Sequence, residues 1–289
     1  KQCQLAKIMP CFGFGHVELG TVTKLAQPGN AKPRIFRIPE SEALINSMGF
    51  PNPGADKVKK QKALITGGPA LVGINIGKSK ATRIEDAVSD YLYTFEVLYE
   101  LADYFAVNVS SPNTPQLRDM QKNLTPLLSA IQSKNQELSV ARKIPVRPVL
   151  VKIAPELDLN LLDSILEVCM TLRVSGLIAT NTTVNRVGVN LPKPIEGGLS
   201  GRPLFNQSTE VLRHLRRQTR GQMTLIGVGG VLSPEDAYKK IRAGASLVQV
   251  YTGLVYRGPE FVKNLNDGLA ELLKRDGLSR VQDAVGLDA

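Results

Sequence analysis

Short runs of apolar, mostly β-branched residues alternate along the chain with longer amphipathic stretches. Seven runs have this character, at residues 16–22, 71–76, 105–109, 149–153, 176–180, 224–228 and 247–251. Helical periodicity occupies residues 85–102, 116–132, 160–172, 208–220, 234–243 and 259–274. Strands that alternate with helices predict βαβ units and a parallel sheet. Near-continuous apolar strands such as VLVKI and SLVQV predict that helices cover both faces of this sheet.

An α/β fold of the (β/α)8 TIM-barrel type comes closest to this alternation, although such a barrel requires eight strands. A doubly wound open sheet tolerates seven strands but normally carries a G-x-G-x-x-G turn after the first, whereas the first run here ends in ELGTVT. We therefore expect a barrel whose first strand is missing from this chain, with a helix at residues 1–9 following that strand. Residues 1–289 are expected to form one domain with a long irregular loop at about residues 24–62.

Composition and charge exclude several classes of protein. The chain has 289 residues, of which 43% are hydrophobic and 21% charged, as is typical of a globular protein. No apolar run approaches the roughly 20 residues that span a bilayer. Three cysteines and two histidines are too few and too scattered to predict a metal site or a disulfide framework.

A net charge of +10 suits an anionic ligand, an anionic membrane surface or nucleic acid. The lysines within residues 57–62 and a helical stripe of arginines contribute to this charge, the stripe comprising Arg213, Arg216, Arg217 and Arg220. Because no aromatic residues interleave with these cations, we interpret them as solvated surface and expect no nucleic-acid partner.

Polar residues and glycines follow the apolar runs, at the points where the predicted strands end. Barrels of this type build their active site at these carboxyl ends. The positions hold amides, hydroxyls and one lysine, which favours binding of a flat heteroaromatic molecule over hydrolytic acid–base chemistry. Polar residues also cap strands for structural reasons, but asparagines at three ends and a lysine at a fourth are harder to explain in that way. The positions include Thr21, Asn75, Asn108 to Asn113, Lys152, Thr180 to Thr182, Gly229, Gly230, Tyr251 and Thr252.

Small residues mark the last units of the alternation. Gly229 and Gly230 follow one strand, Thr252 and Gly253 follow the next, and GGLSG at residues 197–201 precedes a predicted helix. In many barrels the loops after strands 7 and 8 bind phosphate through backbone N–H groups. A single glycine pair is often only a turn, but three such segments predict a phosphorylated cofactor.

The segment NVSSPNT at residues 108–114 directly follows a buried strand. A serine at this position is able to take a proton if water or hydrogen bonds activate its hydroxyl. No histidine or aspartate accompanies it, so a Ser-His-Asp triad is not supported. An ordinary Ser-Pro-Asn turn stays open as the alternative interpretation of this segment.

These motifs, in their order along the chain, resemble class 2 dihydroorotate dehydrogenase, the flavin enzyme of pyrimidine synthesis that passes electrons to a quinone. The matching segments are NVSSPNTPQLRDMQ, VLVKIAPEL, LIATNTT, GGLSGRPL, IGVGGV and IRAGASLVQVYTGLVYRGP. ELGTVT, QPGN, KPRIFRIPE and ALINSMGF match the family's first loop region, and the resemblance extends from about residue 12 to the C-terminal VGLDA. It implies oxidation of dihydroorotate to orotate with FMN as the cofactor.

The resemblance assigns cofactor binding to nine positions. Lys152 would lie against the electron-rich end of the flavin and stabilise the negative charge of its reduced form. The last four positions would lie near the phosphate loops. The nine residues are Thr21, Asn75, Asn108, Lys152, Thr180, Gly201, Gly230, Tyr251 and Thr252.

The resemblance also implies a catalytic base, a substrate site and a quinone site. Ser111 would take the C5 proton of dihydroorotate while a hydride leaves C6 for the flavin, and similar class 1 enzymes have a cysteine at this position. Because serine is a poor base, its proton would have to pass on to water. Arg37 and Tyr251 match positions that line the quinone tunnel. The implied substrate residues are Asn46, Ser47, Met48, Gly49, Phe50, Asn108, Asn113, Asn181 and Thr182.

The chain departs from the family pattern in three respects. We expect this chain to lack the family's first strand, which carries a lysine. We also expect it to lack the N-terminal helices with which the family docks on the membrane. Pro51 stands where the family usually has a polar residue. Two alternatives therefore stay open, namely a catalytically incomplete barrel fragment and a class 1-like enzyme with a soluble acceptor. Ser111 and the IFRIPE segment disfavour the second. The resemblance implies a peripheral protein of the bacterial cytoplasmic membrane, which we favour, or of the mitochondrial inner membrane.

Overall fold

The computed structural model describes residues 6–114 and 116–289. Its contacts divide the chain into two compact units. The first comprises the chain up to Ala31, Met48–Lys152 and Leu159–Ser175, and the second comprises Lys32–Ser47, Ile153–Asp158 and Gly176–Ala289. The single domain expected from the sequence stays a prediction.

Strands and helices alternate through most of the described chain. The strands are β1 (His16–Val22), β2 (Ile35–Ile38), β3 (Ala43–Asn46), β4 (Leu71–Ile76), β5 (Tyr104–Asn108), β6 (Val149–Ile153), β7 (Gly176–Ala179), β8 (Gly198–Gly201), β9 (Thr224–Val228) and β10 (Leu247–Gln249). The helices are α1 (Ala55–Lys59), α2 (Lys62–Ile65), α3 (Ala87–Leu98), α4 (Thr125–Arg142), α5 (Leu159–Thr171), α6 (Phe205–Thr219), α7 (Pro234–Arg242), α8 (Thr252–Arg257), α9 (Phe261–Arg275) and α10 (Val281–Ala284). Among the described residues, no helix combines the length and apolar character needed to cross a bilayer.

The sheet of the first unit consists of four parallel strands in the order β1, β4, β5, β6. β5 is buried along its whole length and β4 is exposed only at Leu71, as expected for strands covered on both faces. On one side, Phe95 of α3 packs on Phe105 of β5 with ring centroids 4.4 Å apart. The register places Asn108 opposite Lys152, so the polar ends of these two strands lie side by side.

The second unit contains two sheets. β9 pairs in parallel with both β7 and β10, whereas β2, β3 and β8 form an antiparallel sheet with β3 at its centre. Ile38, Ala43, Ile45 and Leu199 form a buried cluster on this small sheet, with further apolar side chains packed against it. The small sheet therefore has an apolar core of its own.

The seven parallel strands predicted from the sequence are all present, and four have the predicted bounds, namely β1, β4, β6 and β9. Five of the six predicted helices are also present, with ends shifted by four residues or fewer. The prediction of one helix at residues 116–132 is wrong. A 3₁₀ helix at Leu117–Lys122 is followed by the extended Asn123, and α4 then begins at Thr125. Pro126 lies in the first turn of α4, where proline favours the start of a helix.

The irregular loop predicted at about residues 24–62 is wrong in part, because it contains β2, β3 and α1. β2 and β3 are only four residues long, too short for a convincing alternation. Their partner β8 has the sequence GLSG, and glycine is depleted in strands. The helix predicted at residues 1–9 lies outside the described residues up to residue 5. Residues 6–8 form a turn, and Met9–Phe12 form a 3₁₀ helix.

Candidate active site

A β-bulge near the end of β1 brings two polar side chains to one face of that strand. Leu19 pairs with Ile74 but Val22 pairs with Ile76, so Gly20 and Thr21 together lie opposite Asn75. Residues three apart in a regular strand point to opposite faces, and the extra residue instead places Glu18 and Thr21 on the same side. Gly20 permits the bulge, because its φ is +132° and a Cβ there would lie 2.5 Å from the Asn75 carbonyl oxygen.

Three of the predicted cofactor residues form a hydrogen-bonded cluster at the ends of β1, β4 and β5. The Thr21 hydroxyl donates to Asn75 Oδ1 at 2.6 Å. Asn108 Nδ2 lies 3.2 Å from both Thr21 Oγ1 and Asn75 Oδ1. Asn75 and Asn108 are buried, and Tyr91 fixes the Asn108 backbone by donating to its carbonyl oxygen at 2.7 Å. The cluster therefore presents amide and hydroxyl groups in a rigid arrangement.

Lys152, the fourth predicted cofactor residue of this unit, lies beside a carboxylate that the sequence analysis did not single out. Its Nζ is 3.7 Å from Glu18 Oε1, and both side chains are largely buried. Asn75 Nδ2 donates to the same oxygen at 2.9 Å, and the Tyr104 hydroxyl lies 3.5 Å from Glu18 Oε2. The glutamate inside the strand HVELGTV is visible in the sequence, but no local pattern shows that its side chain shares a face with Thr21.

His16, at the start of β1, completes the set of ionisable groups on this strand. Burial lowers the pKa of His16, and the nearby Glu18 carboxylate opposes that effect. The imidazole ring packs edge-on against Tyr104 with centroids 6.4 Å apart. Burial therefore disfavours the charged form of His16, whereas the Lys152 ammonium forms an ion pair with Glu18.

The turn that carries Ser111 is tied to the cofactor cluster by its neighbour Ser110. Ser110 N–H donates to Asn108 Oδ1 at 3.3 Å, and the Ser110 hydroxyl donates to the Lys152 carbonyl oxygen at 2.6 Å. Ser111 is buried, and its Oγ accepts from the Asn113 N–H at 3.3 Å. The turn thus holds the predicted base next to residues that we expect to contact the flavin.

The predicted substrate residues Met48 and Gly49 are positioned by two residues of the preceding loop, one through its backbone and the other through its side chain. Asn30 N–H donates to the Met48 carbonyl at 3.0 Å, and Gln27 Nε2 donates to the Gly49 carbonyl at 2.9 Å. Asn30 Nδ2 also reaches the Asn113 carbonyl at 3.5 Å. Asn30 therefore connects Met48 with the serine turn, a role that the motif QPGN did not reveal by itself.

Phe50 is held in a backbone conformation that bulky residues rarely adopt. Its φ is +52°, in the left-handed region. Its ring lies against Gly77, where an added Cβ would be 3.1 Å from the Phe50 ring and 2.7 Å from the Thr21 methyl group. The ring and Thr21 are thus packed around the same glycine. Pro51, where the family usually has a polar residue, lines a separate cavity of the first unit.

This cavity of the first unit has a volume of about 280 Å³ and a mostly apolar lining. It includes Met48 and Gly20 but none of the asparagines in the cofactor cluster. Leu19 and Val22, which line it, point away from the face of β1 that carries Glu18 and Thr21. The cavity therefore lies on the other side of the strand from the polar cluster. Its lining is Leu19, Gly20, Val22, Met48, Pro51, Asn52, Pro53, Val58, Gln61 and Ile74.

In the second unit, three predicted residues follow directly after β7. Thr180 N–H donates to the Val228 carbonyl at 3.1 Å, and Asn181 N–H donates to the Ile153 carbonyl at 2.8 Å. The Asn181 side chain accepts from the Thr182 N–H at 2.8 Å. Backbone bonds to the neighbouring strands thus fix Thr180 and Asn181.

The predicted phosphate residues of the second unit lie at tightly packed glycines. A Cβ on Gly201 would lie 2.2 Å from the Glu42 carbonyl oxygen, and one on Gly230 would lie 2.5 Å from Phe205 Cβ. The Thr252 hydroxyl donates to Ser200 Oγ at 2.9 Å, which ties the start of α8 to β8. Close packing against neighbouring protein atoms therefore requires glycine at both positions, and their role in phosphate binding stays a prediction.

The remaining predicted residues of the second unit belong to or follow the small sheet, except Tyr251. Asn46 pairs with Gly198, and its Nδ2 lies 3.4 Å from the Gly198 carbonyl oxygen. Ser47 N–H donates to the Arg34 carbonyl at 2.9 Å. Arg37 on β2 is exposed, and Tyr251, between β10 and α8, is 66% exposed. Both proposed quinone residues are therefore accessible on the surface.

Comparison with known proteins agrees with the resemblance read from the motifs. A family model described as dihydroorotate dehydrogenase matches residues 1–273. A protein of Gloeobacter violaceus named "Dihydroorotate dehydrogenase (quinone)" is 50% identical over 276 residues, which cover 95% of this chain and 76% of that protein. A protein of Deinococcus radiodurans with the same name is 48% identical and covers 99% of this chain, with 78% of its own length matched.

Solved structures match the whole chain. A crystal structure of DHODH from Eimeria tenella in complex with ferulenol superposes with a TM-score of 0.93 at 38% identity, covering 100% of this chain and 82% of that one. The ligand-free form from the same organism matches equally well, with 86% of its chain covered. The match confirms the predicted α/β fold of the TIM-barrel type. The chain belongs to the dihydroorotate dehydrogenase family.

Proposed function

We propose that this chain oxidises dihydroorotate to orotate in pyrimidine biosynthesis, using FMN and passing the electrons to a quinone. The observation that carries the proposal is 50% identity, over 95% of the chain, to a relative whose name includes the acceptor quinone. The polar residues at the strand ends of both units support it, because the family's motifs coincide with them.

The described residues fit a flavin mononucleotide in the kinds of groups they offer. The first unit presents the amides of Asn75 and Asn108, the hydroxyl of Thr21 and the cation of Lys152, which suit the carbonyl and nitrogen edges of a flavin ring. In the second unit, the resemblance assigns the phosphate to the region of Gly201 and Gly230, where neighbouring protein atoms leave no room for a side chain. When bound, FMN supplies an acceptor for the hydride of the substrate.

Lys152 and the cluster next to it would orient the flavin ring and stabilise negative charge on it. Only interactions that strengthen as charge develops accelerate a reaction. Glu18 lies beside the Lys152 ammonium, and Asn75 fixes Glu18 by donating to the oxygen that faces the lysine, so the position of the cation is set before the flavin binds.

Ser111 would take the proton from C5 of dihydroorotate while the C6–H bond breaks. Its Oγ already accepts from the Asn113 N–H, which stabilises negative charge on that oxygen. The serine's own proton must leave in the same step or before it, and water is the acceptor we propose. In the first unit, the amide side chains of Asn108 and Asn113 would hold the pyrimidine ring through its alternating donors and acceptors. In the second unit, the resemblance assigns substrate binding to Asn46, Ser47, Asn181 and Thr182.

Arg37 and Tyr251 would contact the quinone, and their exposure agrees with a substrate that arrives from a membrane. Bacterial relatives with quinone in their names favour a peripheral location on the cytoplasmic membrane. The net charge of +10 is compatible with anionic lipid.

The test is a half-reaction followed by a choice of acceptor. The purified chain is reconstituted with FMN, its visible spectrum is recorded, and dihydroorotate is added without oxygen. We expect the flavin bands to bleach, and a short-chain quinone to restore them much faster than NAD⁺ or fumarate.

Each alternative has its own signature in this experiment. A protein that binds no FMN, or binds it without bleaching, would be a catalytically incomplete barrel fragment. A protein that bleaches but is reoxidised faster by the soluble acceptors would be a class 1-like enzyme. Either result would overturn the proposal.

A further inference from the structure

Lys240 on α7 is fully buried, although lysine is almost never found in a protein interior without a partner. Its Nζ donates to Ser208 Oγ at 2.6 Å and to the Phe205 carbonyl oxygen at 3.4 Å. The ammonium also lies 5.0 Å from the centroid of the Phe205 ring. The next residue back, Lys239, is exposed. Lys240 therefore lies on the buried face of α7, and its neighbour Lys239 lies on the exposed face.

No carboxylate of the described chain is in ion-pair contact with Lys240. The closest acidic residue along the helix, Asp236, is engaged elsewhere. Arg202 Nη1 donates to both of its oxygens, at 2.9 and 2.8 Å, and the Leu232 N–H donates to Oδ2 at 3.0 Å. Burial lowers the pKa of Lys240 to about 7, against a smaller opposing effect of Asp236. A buried cation in this setting lacks a compensating anion.

The two residues that Lys240 contacts also support the Gly229–Gly230 turn. Ser208 Oγ lies 3.3 Å from the Gly229 carbonyl oxygen. A Cβ on Gly229 would be 2.8 Å from Ser208 Oγ, and one on Gly230 would be 2.5 to 2.8 Å from Phe205 atoms. The turn is thus in direct van der Waals contact with Phe205 and Ser208. Both of these residues accept a hydrogen bond from Lys240.

We propose that Lys240 is a positioning residue for the phosphate group of the cofactor. It fixes Phe205 and Ser208, these fix the Gly229–Gly230 turn, and its positive charge offsets the phosphate from behind that turn. A phosphate monoester carries about −1.5 to −2 charges near neutral pH, and charges interact strongly in a protein interior. The inference rests on the proposed function, because it takes the phosphate of FMN as the missing anion.

The test compares FMN with riboflavin, which has the same ring but no phosphate. Dissociation constants of both are measured by quenching of flavin fluorescence for the wild-type apoprotein and for Lys240→Met, which keeps the length of the side chain and removes its charge. We expect Lys240→Met to weaken FMN binding by at least about tenfold and to change riboflavin binding by less than about twofold. Lys239→Met, on the same helix but exposed, is the matched control and should change neither.

Ser208→Ala provides a second variant that keeps the lysine and removes its closest hydrogen-bond partner. It should weaken FMN binding less than Lys240→Met does, again with riboflavin binding retained, and it covers the case in which Lys240→Met does not fold. Equal losses for both ligands would show a merely structural role, and unchanged FMN binding would show no role; either overturns the inference. A wild-type protein that binds no FMN contradicts the proposed function instead.

Discussion

At the scale of single residues, the Glu18 carboxylate forms an ion pair with Lys152, the residue that we expect to stabilise charge on the flavin. Its Oε1 lies 3.7 Å from the lysine Nζ. Glu18→Gln removes this negative charge and leaves the positive charge of Lys152 uncompensated. We expect the midpoint potential of bound FMN to rise by tens of millivolts. At an effective dielectric constant of ~20, two unit charges about 8 Å apart interact with an energy of roughly 2 kcal/mol. For a two-electron couple, a shift of ~30 mV in the potential corresponds to about 1.4 kcal/mol.

The potential is measured by anaerobic titration against a reference dye. Glu85→Gln is the matched control, since it removes the same charge from an exposed pair with Arg83 in the same unit. That variant should leave the potential unchanged. An unchanged or lower potential in Glu18→Gln would contradict the interaction between Glu18 and the flavin site.

Ser111→Ala tests the assignment of the base. The variant removes the only side-chain oxygen at that position and leaves the Asn75–Asn108 cluster intact, so it should bind FMN with a normal spectrum. Reduction of the flavin by dihydroorotate should slow by about 10²- to 10⁴-fold, the usual contribution of general acid–base catalysis. Stopped-flow absorbance measures the rate, with the exposed Ser89→Ala as the control. Reduction at the wild-type rate would remove Ser111 from the mechanism.

The individual residues differ in how far the sequence could predict them. Asn75, Asn108 and Lys152 end or follow apolar strands, so their position at the sheet edge was foreseeable. The position of Glu18 was not foreseeable, because a regular strand would place Glu18 and Thr21 on opposite faces. Only the bulge brings the two side chains to the same face. Lys240 belongs to a helix with the polar pattern of a surface element, and its burial depends on tertiary packing.

At the scale of elements, the bulge in β1 depends on Gly20. In Gly20→Ala the added Cβ would meet the Asn75 carbonyl oxygen, and alanine would have to adopt a φ of +132°. We expect the free energy of unfolding to fall by about 1–3 kcal/mol and FMN binding to weaken, because Thr21 would move away from Asn75. Thermal unfolding of the apoprotein and FMN titration measure the two effects.

Gly15→Ala is the control for that substitution. It lies just before β1, its φ is outside the left-handed region, and nothing lies within 4 Å of an added Cβ. It should be neutral in both measurements. If Gly20→Ala behaves like Gly15→Ala, the bulge does not position Thr21.

Strands and helices were predicted well where a run was long enough for its periodicity to be read. β4 and β6 are almost wholly buried, and their composition alone identifies them. The small antiparallel sheet escaped prediction because each strand has four residues and β8 pairs with β3 across about 150 positions of sequence. Long-range pairing of this kind leaves no local pattern.

At the scale of the molecule, the spacing of the arginines on α6 suggested a solvated surface, but two of the four arginines bind the C-terminal segment. Arg213 Nε donates to the Asp288 carbonyl at 2.9 Å, and Arg216 Nη2 donates to the Val285 carbonyl at 3.3 Å. From α7, Arg242 donates to both carboxylate oxygens of Asp288, at 2.8 and 2.6 Å. Two helices thus hold the C-terminal VGLDA segment, which gives some of the surplus arginines a structural role.

This attachment predicts a defined dependence of stability on pH. Arg242 lowers the pKa of Asp288 below its ordinary value. A carboxyl whose pKa is depressed by folding stabilises the folded state fully above its unfolded pKa of about 3.9, and loses that contribution as the pH falls through the folded value. Asp288→Asn should therefore lower the unfolding temperature at pH 7 by at most about 3 °C, since exposed pairs contribute little.

The difference in unfolding temperature between Asp288→Asn and the wild type should stay constant above the unfolded pKa of about 3.9. It should shrink as the pH falls through the depressed pKa of the folded state. Differential scanning fluorimetry across that range measures it. Asp267→Asn, at an exposed position of α9, is the control and should show no comparable loss at pH 7. A difference that does not shrink at any pH below about 3.9 would mean that Asp288 acts through packing or hydrogen bonding that does not require its charge.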